Sequence, residues 1–255
     1  MSTTAPPTTT TPAAEPTEAA SASATQADAT AATQPALSPA DLGVGARFTL
    51  SVMDSDFAAI ILGALAEADA EAAAAAAAEA EATADTDATD PILDVQTDPV
   101  STLVRGPEQQ VLEYLTTAIA AAARSGHHVS ASVLLSRGCP GEVTCTTTPG
   151  LLAEAAEVPV LAPTGIRASA HWSLYPLDDT GRPGMAPDHL RDIYAAIDHA
   201  KELGTYVRGE HYATLLEGDL ADVLATIAAG WVLVGRTVQH VTSHAVISIA
   251  SPTEV

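Results

Sequence analysis

Two sets of polar residues stand at matching places in this chain. The first is Thr49, Asp98, Ser101, Thr102, Arg105 and Ser136. The second is Ser173, Tyr175, Glu210, His211, Tyr212, Thr214, Glu217 and Ser248. Hydroxyls, carboxylates and phenols of this kind orient a small polar ligand by donating and accepting hydrogen bonds, and the aromatic members can stack on a ring. Thr102 and Thr214 stand mid-strand between apolar neighbours, so each hydroxyl either bonds to nearby backbone or turns into a pocket.

Signatures of catalysis are missing from the sequence. It holds no Gly-x-Ser-x-Gly, Gly-x-Gly-x-x-Gly, Walker loop or Cys-x-x-Cys. His240 and His244 lie four apart on a β-rich stretch, at about 3.3 Å per residue, too far to share a metal. His127 and His128 point to opposite faces of a strand, and His128 matches His240 at a strand start, which suits a structural hydrogen bond. Cys139, between Gly138 and Pro140, reads as a strand-end residue. No catalytic residue, metal ligand or cofactor is therefore assigned.

The elements that position these residues form a repeat. Shifted by 112 positions, Asp98–Glu142 matches Glu210–Glu254 at 11 of 45 places without a gap. Thr102 falls on Thr214, Gly106 on Gly218, Arg124 on Arg236, His128-Val129 on His240-Val241 and Ser136 on Ser248. Arg47-Phe48-Thr49-Leu50 aligns with His171-Trp172-Ser173-Leu174 at a shift of 124, so the first copy is 12 residues longer. The excess falls in the Ala/Glu/Asp/Thr stretch from about 67 to 90, read as a helix extension plus a loop.

In the second copy, Arg167 to Tyr175 alternates as a strand. Leu190, Ile193, Tyr194 and Ile197 give a helix, with Pro187 in its first turn and Gly204 as its stop. Two short strands are expected around Gly209. Asp219 is placed as the N-cap of a helix with the stripe Leu220, Val223, Leu224, Ile227 and Trp231. A last strand runs from His240 to Ala250. The first copy gives the same order, with strands near 46–52, 92–97, 100–105 and 127–137 and helices near 55–80 and 107–124. This β-α-β-β-α-β order is the ferredoxin-like unit. The expected fold is α+β, with antiparallel sheets covered by helices on one face. The other face is expected to pack on the partner copy or a second chain.

Residues 1–43 are a Thr/Ala/Pro-rich tail expected to be disordered. Repeat 1 spans 44–141, a linker 142–165 and repeat 2 166–255. The net charge of −22 repels phosphate backbones and anionic membranes, so no nucleic-acid partner is expected. No secretory signal, membrane-length apolar run or disulfide framework is read from the sequence, and a soluble cytoplasmic protein is expected.

Several strings resemble the YkoF family. They are Gly45-Ala46-Arg47-Phe48-Thr49-Leu50, Ser101-Thr102-Leu103-Val104-Arg105-Gly106 and Gly138-Cys139-Pro140-Gly141 in the first copy. In the second they are Ser173-Leu174-Tyr175-Pro176-Leu177, Gly204-Thr205-Tyr206-Val207 and His211-Tyr212-Ala213-Thr214-Leu215-Leu216-Glu217-Gly218-Asp219. The resemblance implies tandem ferredoxin-like (ACT-like) units, a homodimer, and non-catalytic binding of thiamine or hydroxymethylpyrimidine at one site per repeat. It further implies a role in thiamine-precursor uptake or salvage, with transporter components as partners. Carried over by position, Thr102 and Thr214 are matching members of the two sites, joined by Thr49, Asp98, Ser101 and Ser136 in one and Ser173, Tyr175, His211, Tyr212 and Ser248 in the other. The family's Tyr-Pro and His survive as Tyr175-Pro176 and His211 but are Ser51-Val52 and Pro99 in the first copy. That difference implies tighter binding in the second. An ACT-like regulatory module, a salvage enzyme using Cys139 and a purely structural partner within a transport complex are the competing expectations.

Overall fold

The computed structural model describes residues 43–83, 92–138, 157–177, 188–236, 238 and 240–253. The tail, Cys139, Cys145, Pro187 and the first part of the expected linker lie outside these residues.

The element order is β1 (Gly45–Val52), α1 (Phe57–Thr83), β2 (Asp94–Thr97), β3 (Thr102–Arg105), α2 (Glu108–Ala123) and β4 (Val129–Arg137). The second half follows with β5 (Arg167–Pro176), α3 (His189–Glu202), β6 (Tyr206–Glu210), β7 (Ala213–Asp219), α4 (Leu220–Gly235) and β8 (Val241–Ile249). All eight strands join one antiparallel sheet in the order β2-β3-β1-β4-β8-β5-β7-β6. This mixed α/β structure, with its antiparallel sheet and four helices among the described residues, is compatible with ferredoxin-like units.

Strand alternation decides which face is buried. Phe48, Val133, Ala245 and Trp172 lie opposite one another in a single row across four strands, and all four are buried. The helices pack on this face: Phe48 meets the Tyr114 ring of α2 edge-on at 6.2 Å, and Trp172 lies against Gly230 of α4. The residues between them, including Thr49, Ser132, Leu134, His244, Val246 and Ser173, point to the opposite face. The second half therefore does not cover that face, as the sequence suggested a partner copy would. It extends the sheet sideways, because β4 and β8 pair along their free edges with their apolar sides in phase.

One buried cation fastens the junction. The Arg137 side chain is 1% exposed, pairs with Glu108 of α2 at 3.2 Å and donates to the Val232 carbonyl of α4 at 3.2 Å. It also lies over the Trp231 ring, 5.8 Å from its centroid.

One of the turn expectations shifts. Gly209 sits inside β6, and the hairpin reverses at His211-Tyr212, where Tyr212 adopts φ 68°. The helix α3 is capped by Asp188, whose carboxylate accepts from Arg191 N, and ends before Gly204 at φ 79°.

Candidate functional site

A cavity of about 740 Å³ lies on the helix-covered side of the first half, between α1, α2 and the segment entering β5. That volume is in the range of small-molecule sites.

Its first wall is α1. The Ala-rich run that builds α1 has the highest intrinsic helix propensity, so the helix continues for 27 residues, against 14 for α3. Ala64 and Ala68 are buried in the core. Glu67, Asp69, Glu71 and Glu79 fall along the cavity, separated by alanines that leave the space open.

The second wall is α2, tied to the first by polar links. Tyr114 donates to Asp69 at 2.7 Å, and Thr117 donates to Glu71 at 2.7 Å. Arg124 forms an ion pair with Glu67. Burial, then the Asp69 bond and charge, push the Tyr114 phenol far above its usual range, so it remains a neutral donor.

The third wall is the segment before β5, contributing Leu161, Ala162, Thr164 and Ile166. Gln109 holds it by accepting from Val160 N at 2.9 Å and donating to Val160 O at 2.8 Å. Asp219 holds it from the second half, accepting from Thr164 N (3.0 Å), Thr164 Oγ1 (2.8 Å) and Gly165 N (2.6 Å) while also capping α4 at Ala221 N (2.9 Å). Ile92, Leu93 and Val95 complete the lining. Gly106 permits this closure: a Cβ there would lie 2.5 Å from Leu93 Cδ2 and 2.8 Å from the Ile92 carbonyl.

The wall is thus apolar with an acidic border. Among the described residues it carries five carboxylates, from Glu67, Asp69, Glu71, Glu79 and Glu113, against the single guanidinium of Arg124. Such a wall favours a cationic ligand with an apolar body.

The residues singled out from the sequence lie elsewhere, in four settings. Thr49, Ser136, Ser173, Tyr175 and Ser248 are on the sheet face away from the helices. Ser136 and Tyr175 flank Thr242 in one row, Thr49 is opposite Ser132, and Ser248 bonds His128 Nε2 at 3.1 Å. Asp98 and Ser101 shape the β2–β3 turn: Asp98 accepts from Val100 N at 2.7 Å and Ser101 N at 2.9 Å, and those bonds hold its carboxyl below the usual range. His211 and Tyr212 form the β6–β7 turn, where the Tyr212 carbonyl accepts from Ser173 Oγ at 2.8 Å. Thr102 and Thr214 face the helices instead, opposite Phe48 and Trp172 respectively. Thr102 is buried and shares a 3.0 Å hydroxyl contact with Thr97. The structure therefore brings Ser173 to Tyr212 and Asp98 to Ser101, and separates both threonines from the sheet-face residues.

The cavity residues were not singled out from the sequence. The available signal was the spacing of four between Glu67 and Glu71 on a strong helix former, together with Tyr114 inside the apolar stripe of α2. Among the described residues no cluster of three metal-ligating side chains is assembled, and no helix is long and apolar enough to cross a membrane.

Residues 167–254 match the YKOF-related family. The chain is 30% identical over 210 residues, covering 82% of its own length and 90% of the relative, to YkoF of Bacillus subtilis (strain 168). That relative carries a provisional designation as a hydroxymethylpyrimidine (HMP)/thiamine-binding protein.

Proposed function

This chain belongs to the YkoF family, and from that premise we propose that it binds thiamine or its hydroxymethylpyrimidine moiety without transforming it, with the α1–α2 cavity as a binding site. The observation that carries this reading is the cavity itself, with an acidic border around an apolar interior of about 740 Å³. Thiamine is a flat aminopyrimidine joined to a thiazolium cation. Its rings suit the alanine and aliphatic lining, and its charge suits the carboxylates.

The proposal extends to architecture. The two β-α-β-β-α-β halves are tandem ferredoxin-like (ACT-like) repeats, and the protein works as a homodimer in thiamine-precursor uptake or salvage. The helix-free sheet face is the surface for the second copy, since Leu134 (39% exposed) and Val246 (41% exposed) present side chains there from equivalent positions on adjacent strands.

Calorimetry with the full chain tests the binding. Thiamine and hydroxymethylpyrimidine should each give a saturable heat and raise the unfolding midpoint, and the thiamine should be recovered intact. Stabilisation by amino acids with no response to either compound would favour the regulatory module. Turnover of thiamine would favour the enzyme.

A further inference from the structure

The hydrogen-bond inventory of the cavity is unbalanced. Its hydroxyl and guanidinium donors among the described residues are already committed: Tyr114 to Asp69, Thr117 to Glu71, Arg124 to Glu67 and Thr164 to Asp219, all carboxylates, and Thr116 to the Leu112 carbonyl. The acceptor side is in surplus. Gln110 lines the cavity, and its carbonyl Oε1 is buried without a hydrogen-bond partner. The adjacent Gln109 shows the contrast, since its amide is spent on both backbone groups of Val160. A buried acceptor left unpaired carries a desolvation cost that a donor on a ligand removes. The terminal amide torsion of glutamine is soft, so Oε1 can turn toward a bound molecule with little strain.

Resting on the reading of this cavity as a thiamine-class site, we propose that it selects the amine-bearing, unphosphorylated cation, with Gln110 Oε1 accepting from the exocyclic amine of the pyrimidine. The positive thiazolium lies along the carboxylate border. A phosphate ester meets the same border with like charge and finds no uncommitted guanidinium among the described lining residues to offset it, because Arg124 is paired with Glu67. Gln110 is thereby the residue that distinguishes an amino from an oxo pyrimidine, since a site built to accept a hydrogen bond rejects the analogue lacking the donor.

The test uses calorimetry on the full chain with three probes: thiamine, thiamine diphosphate, and the thiamine analogue with an oxo group in place of the amine. At low ionic strength wild type should bind thiamine at least about tenfold more tightly than the diphosphate, with the gap narrowing as salt is added. Gln110→Met should lower the preference for thiamine over the oxo analogue by about tenfold, and its ligand-free unfolding midpoint should not fall, because the unpaired carbonyl is gone. Equal binding of thiamine and its diphosphate at low salt, or an unchanged amino/oxo preference in Gln110→Met, overturns the inference and leaves the cavity as a thiamine site. Failure of wild type to bind thiamine removes the site and the inference together.

Discussion

Val133 on β4 pairs with Ala245 on β8, and the two residues stand 112 positions apart in the chain. Every other pair along this junction is arranged about them: Ser132 faces Val246 while Leu134 faces His244, so residues 112 apart exchange places across the seam. The same row runs outward to Thr102 at one side, through Phe48, and to Thr214 at the other, through Trp172. A local two-fold relation therefore passes between Val133 and Ala245 and sets both helix layers on the same side of the sheet.

The helix-free face inherits that relation. Leu134 and Val246 are its central apolar side chains, among serines, threonines and His244. Leu134→Asp with Val246→Asp should turn the expected dimer into a monomer without unfolding it, since both side chains point away from the core. Sedimentation equilibrium reads the mass, and circular dichroism confirms the retained fold. A wild-type chain that sediments as a monomer would remove the dimer from the proposal.

The buried guanidinium at the junction makes a sharper demand. A Cβ on Gly235 would sit 2.5 Å from Arg137 Cδ and 2.7 Å from Nη1. Gly235→Ala should therefore cost about 1–3 kcal/mol by overpacking. Arg137→Ala should cost about 3–5 kcal/mol, because Glu108 is left nearly buried without its cation. In the Arg137→Ala background the three nearest atoms to the added methyl, all from Arg137, are gone, so the penalty of Gly235→Ala should largely disappear. A urea double-mutant cycle measures that coupling, and additive penalties would contradict the contact.

Tyr114 offers a spectroscopic prediction. Its phenol is buried and donates to a carboxylate, both of which oppose ionisation. The difference between ultraviolet pH titrations of wild type and Tyr114→Phe should show no phenolate signal in the ordinary tyrosine range, and one should emerge only as the protein unfolds in alkali. A normal phenolate step lost in the variant would place Tyr114 in contact with water.

How much of this was legible in the sequence depends on which residues carried a pattern. Asp219 marked the start of α4, and Leu220, Val223, Leu224, Ile227 and Trp231 are all buried as their helical spacing required. The β6–β7 reversal was misplaced because Gly209 was the conspicuous turn former, whereas Tyr212 takes the left-handed conformation itself and a bulge between Tyr206 and Arg208 shifts the register. The lateral joining of the halves was illegible in principle: alternation says which face of β4 is buried but not which strand lies along its edge. The cavity was hidden for another reason. Alanine is equally at home in a core, on a surface or beside an empty space, so the α1 run gave a helix without an orientation.

Asp219 ties the segment entering β5 to the start of α4, and pH tests that role. Partial burial pushes its carboxyl up, but the N–H groups of Thr164, Ala221 and Gly165 and the Thr164 hydroxyl outweigh it and hold the group below its ordinary value of 3.8. A carboxyl depressed in the fold contributes stability that is fully present above its unfolded pKa and fades as pH drops through the folded one. Asp219→Asn keeps the shape and an acceptor oxygen but loses the charge. It should be less stable than wild type by about 1 kcal/mol near neutrality, because the amide nitrogen that replaces one carboxylate oxygen cannot accept from Gly165 N. That difference should stay level down to about pH 5 and shrink below about pH 4. Because the same carboxylate pins Thr164 and Gly165 at the cavity wall, the variant should also release thiamine faster, a change visible in stopped-flow dissociation at pH 7. A stability gap that widened in acid would mean that the charge opposes the fold instead of supporting it.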